Sequence, residues 1–317
     1  MTLTAVQAGM KTLVTGATGF VGTALVAALQ ARGDRVTVFS RDATRARARF
    51  GDSVTAVTAD LETPGAWGEA LLGIDAIVHL AGESVGAKRW NAREKQIVRD
   101  SRVEATRTLV EVIGALPAAQ RPRVLITASG GDYYPFALDK DDFDDDLVTE
   151  NDPPGDSFLA RVCRDWEAQA IEAEGHGLRV ARMRTGIVIG AGGGALDKLT
   201  TPFKLFVGGR IGSGRQWFSW IHRDDVVAAF AAATIDPRYT GAFNLVTDSV
   251  RNADLARTLG KVLHRPSWLP VPAFAVKAAA GEFAEYVLKG RRIVPARLRE
   301  LGFVWKHPDL ALALGTA

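Results

Sequence analysis

The 317-residue sequence predicts an α/β protein: a doubly wound parallel sheet with a smaller, mostly helical C-terminal capping lobe. Three observations carry that expectation. Short apolar runs alternate with helically spaced stretches up to residue 187, as in a parallel sheet covered on both faces. A glycine-rich turn joins the first run to the first helix. After Gly186 the alternation gives way to glycine loops, then to helical segments broken by Pro266, Pro270, Pro272 and Pro295.

The elements follow in order. Thr12–Thr15 reads as the first strand. Phe20, Val21, Ala24, Leu25, Ala28 and Leu29 then recur at helical spacing, and Gly33 ends that helix. Val36–Phe39, Val54–Thr58 and Ala76–Leu80 are the next three strands. Ile97–Ile113 reads as one long helix and Val124–Thr127 as the fifth strand. Phe158–Ile171 is helical, Leu178–Met183 is the sixth strand, and Phe243–Val246 is placed as a return to the sheet. The sheet lobe is therefore assigned to residues 10–187 and 221–248, and the capping lobe to 188–220 and 249–317. Six Asp between Asp139 and Asp146 read as a solvated loop.

Composition narrows the class. With 47% hydrophobic and 24% charged residues, the chain is ordinary globular material. Its longest apolar stretch, Val226–Ile235, falls well short of the roughly 18 residues a membrane span needs. Met1–Gly9 has no basic region and no long apolar run, so no secretory signal is expected. One cysteine, Cys163, excludes a disulfide framework and a zinc-finger cluster. A net charge of +3, without a basic stripe, does not point to nucleic acid. The expectation is a cytoplasmic protein with a small-molecule partner, no membrane or nucleic-acid partner and no metal; a homodimer is left open.

The turn Val14-Thr15-Gly16-Ala17-Thr18-Gly19-Phe20-Val21-Gly22 follows the first strand and opens the first helix. Its GxxGxxG spacing lets the backbone turn tightly and approach a pyrophosphate at the helix N-terminus, where amides and the helix dipole favour anions. This is the signature of a Rossmann-type dinucleotide site. NAD sites place an Asp or Glu about 20 residues on, to hold the ribose 2′-hydroxyl. Here Val38-Phe39-Ser40-Arg41 stands at that point and Arg45 follows. A guanidinium suits a 2′-phosphate, so NADP is favoured over NAD.

Taken together, several segments resemble the extended and atypical short-chain dehydrogenases/reductases, and more narrowly the SulA-like group of nucleoside-diphosphate-sugar-epimerase-like proteins. They are Leu80-Ala81-Gly82-Glu83-Ser84, Arg89-Trp90, Ser101-Arg102, Phe158-Leu159-Ala160 with Cys163 and Trp166-Glu167, Gly190–Ala195, and Gly212–Gln216 through Trp220-Ile221-His222. Gly281-Glu282, Val294–Leu298 and Gly302-Phe303 extend the resemblance to the C-terminal region. It implies an NADP(H)-binding Rossmann fold whose substrate is unknown. The expected cofactor contacts are Gly16, Thr18, Gly19, Phe20 and Val21 at the phosphates, and Ser40, Arg41 and Arg45 at the 2′-phosphate. Asp60 and Leu61 are placed near the adenine; Leu80, Ala81, Gly82, Gly186 and Ile187 complete the set.

Active members of this class use a Ser and a YxxxK pair, in which the Lys lowers the Tyr pKa so that the phenol exchanges a proton. In this chain Phe158 stands in the Tyr place and Val162 in the Lys place, and neither can carry a proton. Ser129 keeps the Ser position. Tyr134, Tyr133 and Glu83 are the candidate substitutes, at the C-terminal ends of the fifth and fourth strands, with Asp132 beside them. Lys88, Arg89, Arg210 and Arg215 are candidates for a positive pocket. Sugar-nucleotide epimerases usually carry a diphosphate-binding Arg two residues after the Gln matching Gln216; Phe218 stands there and points away from a nucleotide sugar. The first reading is an atypical, epimerase-like NADP-dependent oxidoreductase. The alternative is a catalytically silent NADP(H) sensor or scaffold.

Overall fold

A computed structural model describes residues 9–136 and 145–316, so most of the Asp-rich segment lies outside the described residues. The sheet lobe is built from β1 (Lys11–Thr15), β2 (Arg35–Ser40), β3 (Thr55–Thr58), β4 (Ala76–His79), β5 (Val124–Gly130), β7 (Arg179–Thr185) and β10 (Gly241–Leu245); β6 (Leu147–Val148) falls between β5 and β7, and β8 (Ile187–Ile189) and β9 (Trp217–His222) fall between β7 and β10. Seven of these strands form one sheet in the order β10-β7-β5-β4-β1-β2-β3, every pair parallel. The order reverses between β1 and β4, so a crevice opens at the C-terminal ends of those strands, the usual ligand position in such sheets.

Two apolar layers cover the sheet. Helices α1 (Phe20–Ala31) and α7 (Arg223–Ile235) bury Leu25, Val26, Leu29, Val226 and Phe230 against Val14, Val38 and Val78. On the other face, α4 (Val103–Ala115) and α5 (Phe158–Ile171) bury Leu109, Ile113 and Ala170 against Leu13, Ile77 and Leu125. Alternate residues of each strand thus point into opposite layers, which explains the continuous apolar runs. A short α2 (Ala43–Phe50) follows β2 and carries Arg45.

The expected helix Ile97–Ile113 is two helices, α3 (Ala92–Asp100) and α4. The break falls at Ser101-Arg102 because both side chains are recruited by the loop after β4. Ser101 Oγ accepts from the Glu83 amide at 3.0 Å, and Arg102 donates to the Glu83 carbonyl at 2.8 Å.

The cap contains more strand than expected. β8 and β9 pair in parallel, and β9 pairs antiparallel with β11 (Asp248–Arg251). β12 (Arg292–Ile293) pairs with β6. Helices α6 (Leu196–Lys204), α8 (Asn252–Leu263), α9 (Ala273–Ala280), α10 (Ala284–Leu288) and α12 (Leu310–Gly315) complete it. Not all of residues 249–317 stays over the crevice. α11 (Ala296–Glu300) returns to the sheet, where Leu298 joins the core and Arg297 donates to the Ala242 carbonyl of β10. None of the described helices is long and apolar enough to cross a membrane.

Candidate active site

The glycine turn packs against the loop after β4. Gly16 sits at φ +66°, and a Cβ there would lie 2.8 Å from the Leu80 carbonyl carbon. A Cβ on Gly22 would lie 2.2 Å from the Gly16 oxygen, so the first turn of α1 closes onto the strand only without a side chain. Gly19 is less confined: its Cβ would meet the Gly16 oxygen at 3.2 Å. α1 opens on Gly19 with no side-chain cap and no acidic residue in its first turn, which leaves its amides free for an anion.

Four chambers adjoin one another, three along the strand ends and the largest beyond them between helices and loops of the cap. The first, about 420 Å³, is lined by Gly16, Thr18, Gly19, Ser40, Arg41, Arg45, Asp60, Leu61, Leu80, Ala81 and Gly82. It shares Leu80, Ala81 and Gly82 with a second of about 290 Å³, which Val21, Ser129, Asp132, Val162 and Cys163 also line. The second shares Asp132 and Thr185 with a third of about 120 Å³, lined also by Gly186, Ile187, Lys289 and Arg291. That one shares Tyr286 and Lys289 with the largest, about 1000 Å³, where Phe158 lies. Most of the expected cofactor residues therefore line the first two chambers, and Gly186 and Ile187 line the third. Phe20 lines none of them; its ring packs under the 190–194 loop, where a Cβ on Gly193 would come within 2.9 Å of it.

A buried hydrogen-bond relay fixes the loop after β4. Thr106 Oγ donates to the Arg102 carbonyl at 2.6 Å and so accepts from His79 Nε2 at 3.0 Å. His79 Nδ1 then accepts from Thr15 Oγ at 2.8 Å, and that oxygen receives the Leu80 and Ala81 amides, each at 3.1 Å. Burial lowers the His79 pKa from its ordinary 6.5 to about 4, which keeps the ring neutral, as the relay requires. His79 is a packed core histidine that also positions the cofactor-side loop.

The chemical end differs from the sequence expectation. Val162 and Ser129 do face the second chamber. The Ser129 hydroxyl, however, donates to Glu167 Oε1 at 2.8 Å, and Glu167 also holds Arg184 and Arg182 through charged hydrogen bonds of 2.8–2.9 Å. The Ser129 proton is spent inside that network. Tyr134 lines none of the four chambers. It is fully buried, donates to Asn244 Oδ1 at 2.6 Å and accepts from Arg184 at 2.9 Å. Burial, opposed by Arg184, pushes its pKa up to about 12. Tyr134 as proton donor is therefore corrected to a structural phenol. Tyr133 lines none of the four chambers either, and the Arg184 guanidinium stacks 3.5 Å from its ring centre. Glu83 borders the first chamber, not the chemical end, and accepts from Arg41 at 2.9 Å. Cys163 is buried with its pKa raised to about 12, which makes it an inert thiol.

Of the expected positive pocket, only the neighbouring Trp90 reaches the largest chamber; its cations are Lys95, Arg161, Lys277 and Lys289. Lys88 pairs with Glu94, and Arg210 donates to the Ser213 carbonyl. Phe218 is part of the cap's apolar core. The structure also joins His222, Asp224 and His307, with ligand atoms all within 4.8 Å of one another, a cluster that sequence spacing did not suggest. Both His222 nitrogens are already engaged: Nδ1 accepts from the Asp224 amide, and Nε2 faces Thr316 Oγ at 3.2 Å. That geometry is a hydrogen-bonded lock on the C-terminal segment.

Sequence reasoning passed over Arg291. It is buried, donates to the Gly131 carbonyl at 2.6 Å and lies 3.6 Å from Asp132 Oδ1. Its Nε has no hydrogen-bond partner among the described residues. Burial raises the Asp132 pKa against the opposing pull of Arg291 and Arg102.

A parallel sheet, a glycine turn against a bare helix N-terminus and a crevice past the strand ends together define a dinucleotide-binding fold of the short-chain dehydrogenase/reductase type. The model of the NAD dependent epimerase/dehydratase family matches residues 12–245, and the chain belongs to that family. A second model, a domain of unknown function termed DUF1731, matches residues 271–317. The chain is 40% identical over 311 residues to an Arabidopsis thaliana chloroplastic epimerase family protein, the SDR39U1 homolog, covering 97% of this chain and 86% of that one. It is 37% identical to an epimerase family protein of Mycobacterium bovis, covering 96% of each. The crystal structure of human epimerase family protein SDR39U1 (isoform 2) with NADPH aligns at TM-score 0.82 and 33% identity, over 96% of this chain and 98% of that one.

Proposed function

We propose that the protein is an NADP(H)-dependent, epimerase-like oxidoreductase acting on a small molecule. The observation that carries this reading is the run of adjoining chambers, from the glycine turn and Arg41 to the space around Asp132 and Arg291. The solved human relative holding NADPH supports the cofactor.

The residues fit that cofactor. The backbone cradle at Gly16 and Gly22 leaves no room for a side chain, and the α1 amides are uncapped. No carboxylate ends β2, while Arg41 and Arg45 line the first chamber, positioned for a 2′-phosphate. Arg41 is largely exposed and rests on Glu83, so a phosphate has to share or displace that pair. NADPH, when bound, supplies a hydride. The chain excludes water with the apolar walls at Val162, Leu159 and Trp166 and holds the loop after β4 through His79. The small molecule is assigned to the third and largest chambers.

Fluorescence titration tests the reading. Wild type should bind NADPH more tightly than NADH. Arg41→Ala should weaken NADPH by about tenfold, the effect of one exposed charged hydrogen bond, and leave NADH unchanged. Glu83→Gln, which frees Arg41, should tighten NADPH a few-fold. Equal wild-type affinity for the two nucleotides would refute the assignment.

A further inference from the structure

We propose that Asp132 is the proton donor that accompanies hydride transfer, in the role the phenol plays in relatives with the YxxxK pair, and that Arg291 holds it in place. The inference rests on the oxidoreductase reading above. Its basis is position. Asp132 is the titratable side chain common to the second chamber, where Val162 and Ser129 stand, and the third, where a substrate would enter. Its side chain keeps 41% of its surface, and that surface faces the chambers. The 3₁₀ turn Gly131–Tyr133 at the end of β5 aims it there.

The other proton carriers nearby are committed elsewhere or stand outside the second chamber. The Ser129 proton goes to Glu167, Tyr134 is buried against Asn244 and Arg184, and Cys163 is a buried thiol. Tyr286 borders the third chamber but not the second, and its hydroxyl accepts from the Leu159 amide at 3.0 Å. The charged and titratable groups facing Asp132 are Arg291, Arg102, Cys163 and Tyr286. Desolvation at the chamber wall, opposed by the two arginines, shifts the carboxyl upward, toward the form a donor needs. Arg291, buried in the same wall, donates to the Gly131 carbonyl and so fixes the turn that carries Asp132.

The step balances for a carbonyl substrate. Hydride from NADPH forms the new C–H bond at the carbonyl carbon, and NADPH becomes NADP+. The carbonyl π pair moves to oxygen, the Asp132 O–H bond breaks, and its proton forms the alcohol O–H. Solvent entering through the largest chamber reprotonates the carboxylate.

Two measurements test the assignment. Infrared difference spectroscopy of the full chain through a pH titration should show a carboxyl stretch that persists to higher pH than that of an ordinary Asp, and Asp132→Asn should lose that band. NADPH oxidation is then followed with ortho-quinone and aromatic aldehyde probes. Asp132→Asn should lower turnover about 10²-fold or more with NADPH affinity unchanged, and Asp132→Glu should restore part of it. The wild-type rate should fall as pH rises through the titration of that band. Full turnover in Asp132→Asn, or no Asp132 carboxyl band that persists above the ordinary Asp range in wild type, overturns the role of Asp132 while leaving the oxidoreductase reading intact. Failure of wild type to bind NADPH overturns the oxidoreductase reading and this inference with it.

Discussion

The two ends of the chamber system are built on opposite principles. The cofactor-side end is made of backbone: Gly16, Gly22 and the Leu80–Gly82 loop shape it, and its side chains Arg41 and Glu83 are exposed. The chemical end is made of buried charge. Glu167 sits among Arg182, Arg184 and Ser129, and Tyr134 closes the network through Asn244. The lesson is that loss of a Tyr-Lys pair need not empty a site. Here the neighbouring polar residues have been drawn into a fixed network, and one carboxyl at its edge, Asp132, keeps access to the chambers.

Removing the centre of the buried network should produce the largest change. Glu167→Ala leaves two arginines without their carboxylate, and breaking a buried pair this way costs about 3–5 kcal/mol. Urea unfolding should show that loss. A stability within experimental error of wild type would mean that the network is hydrated and would erase the contrast between the ends. The cofactor-side end has its own buried group, His79. Its folded pKa, about 4, lies below the ordinary 6.5, so its contribution is complete above pH 6.5 and is lost as pH falls toward 4. The loss amounts to about 3 kcal/mol, and a His79→Gln variant should lack that pH dependence. A wild-type curve parallel to that of the variant over this range would show that the ring is not held neutral. Tyr134→Phe should be the mildest: it removes one buried hydroxyl from two partners and costs about 1–3 kcal/mol. Turnover per folded molecule should stay as in wild type; a large fall would return Tyr134 to the chemistry.

Legibility in the sequence follows the same division. The cofactor-side end was readable because each part is a contiguous strand–turn–helix unit, and the turn demands glycine where L-residues are strained or blocked. The break at Ser101-Arg102 was not readable, because neither residue is a helix breaker; only contacts to Glu83 bend the chain there. Tyr134 looked available because it follows a strand end, and sequence spacing does not show Arg184 and Asn244 closing over it. Asp132 was visible as a residue, but its partner Arg291 lies 160 positions from Gly131, the carbonyl it anchors. The His222–Asp224–His307 lock was hidden for the same reason.

The return of the chain onto the sheet has a consequence for biosynthesis. The Asp225 carboxylate, at the start of α7, receives the amides of Lys306 and His307. Leu298 fills the core beside β10, and Ala313 and Leu314 complete the core of the cap against α8. These segments emerge from the ribosome after every strand of the central sheet. A nascent chain that already holds the whole glycine turn and sheet therefore exposes an apolar edge, and leaves the Asp225 carboxylate without its two amides, until residues 296–314 arrive.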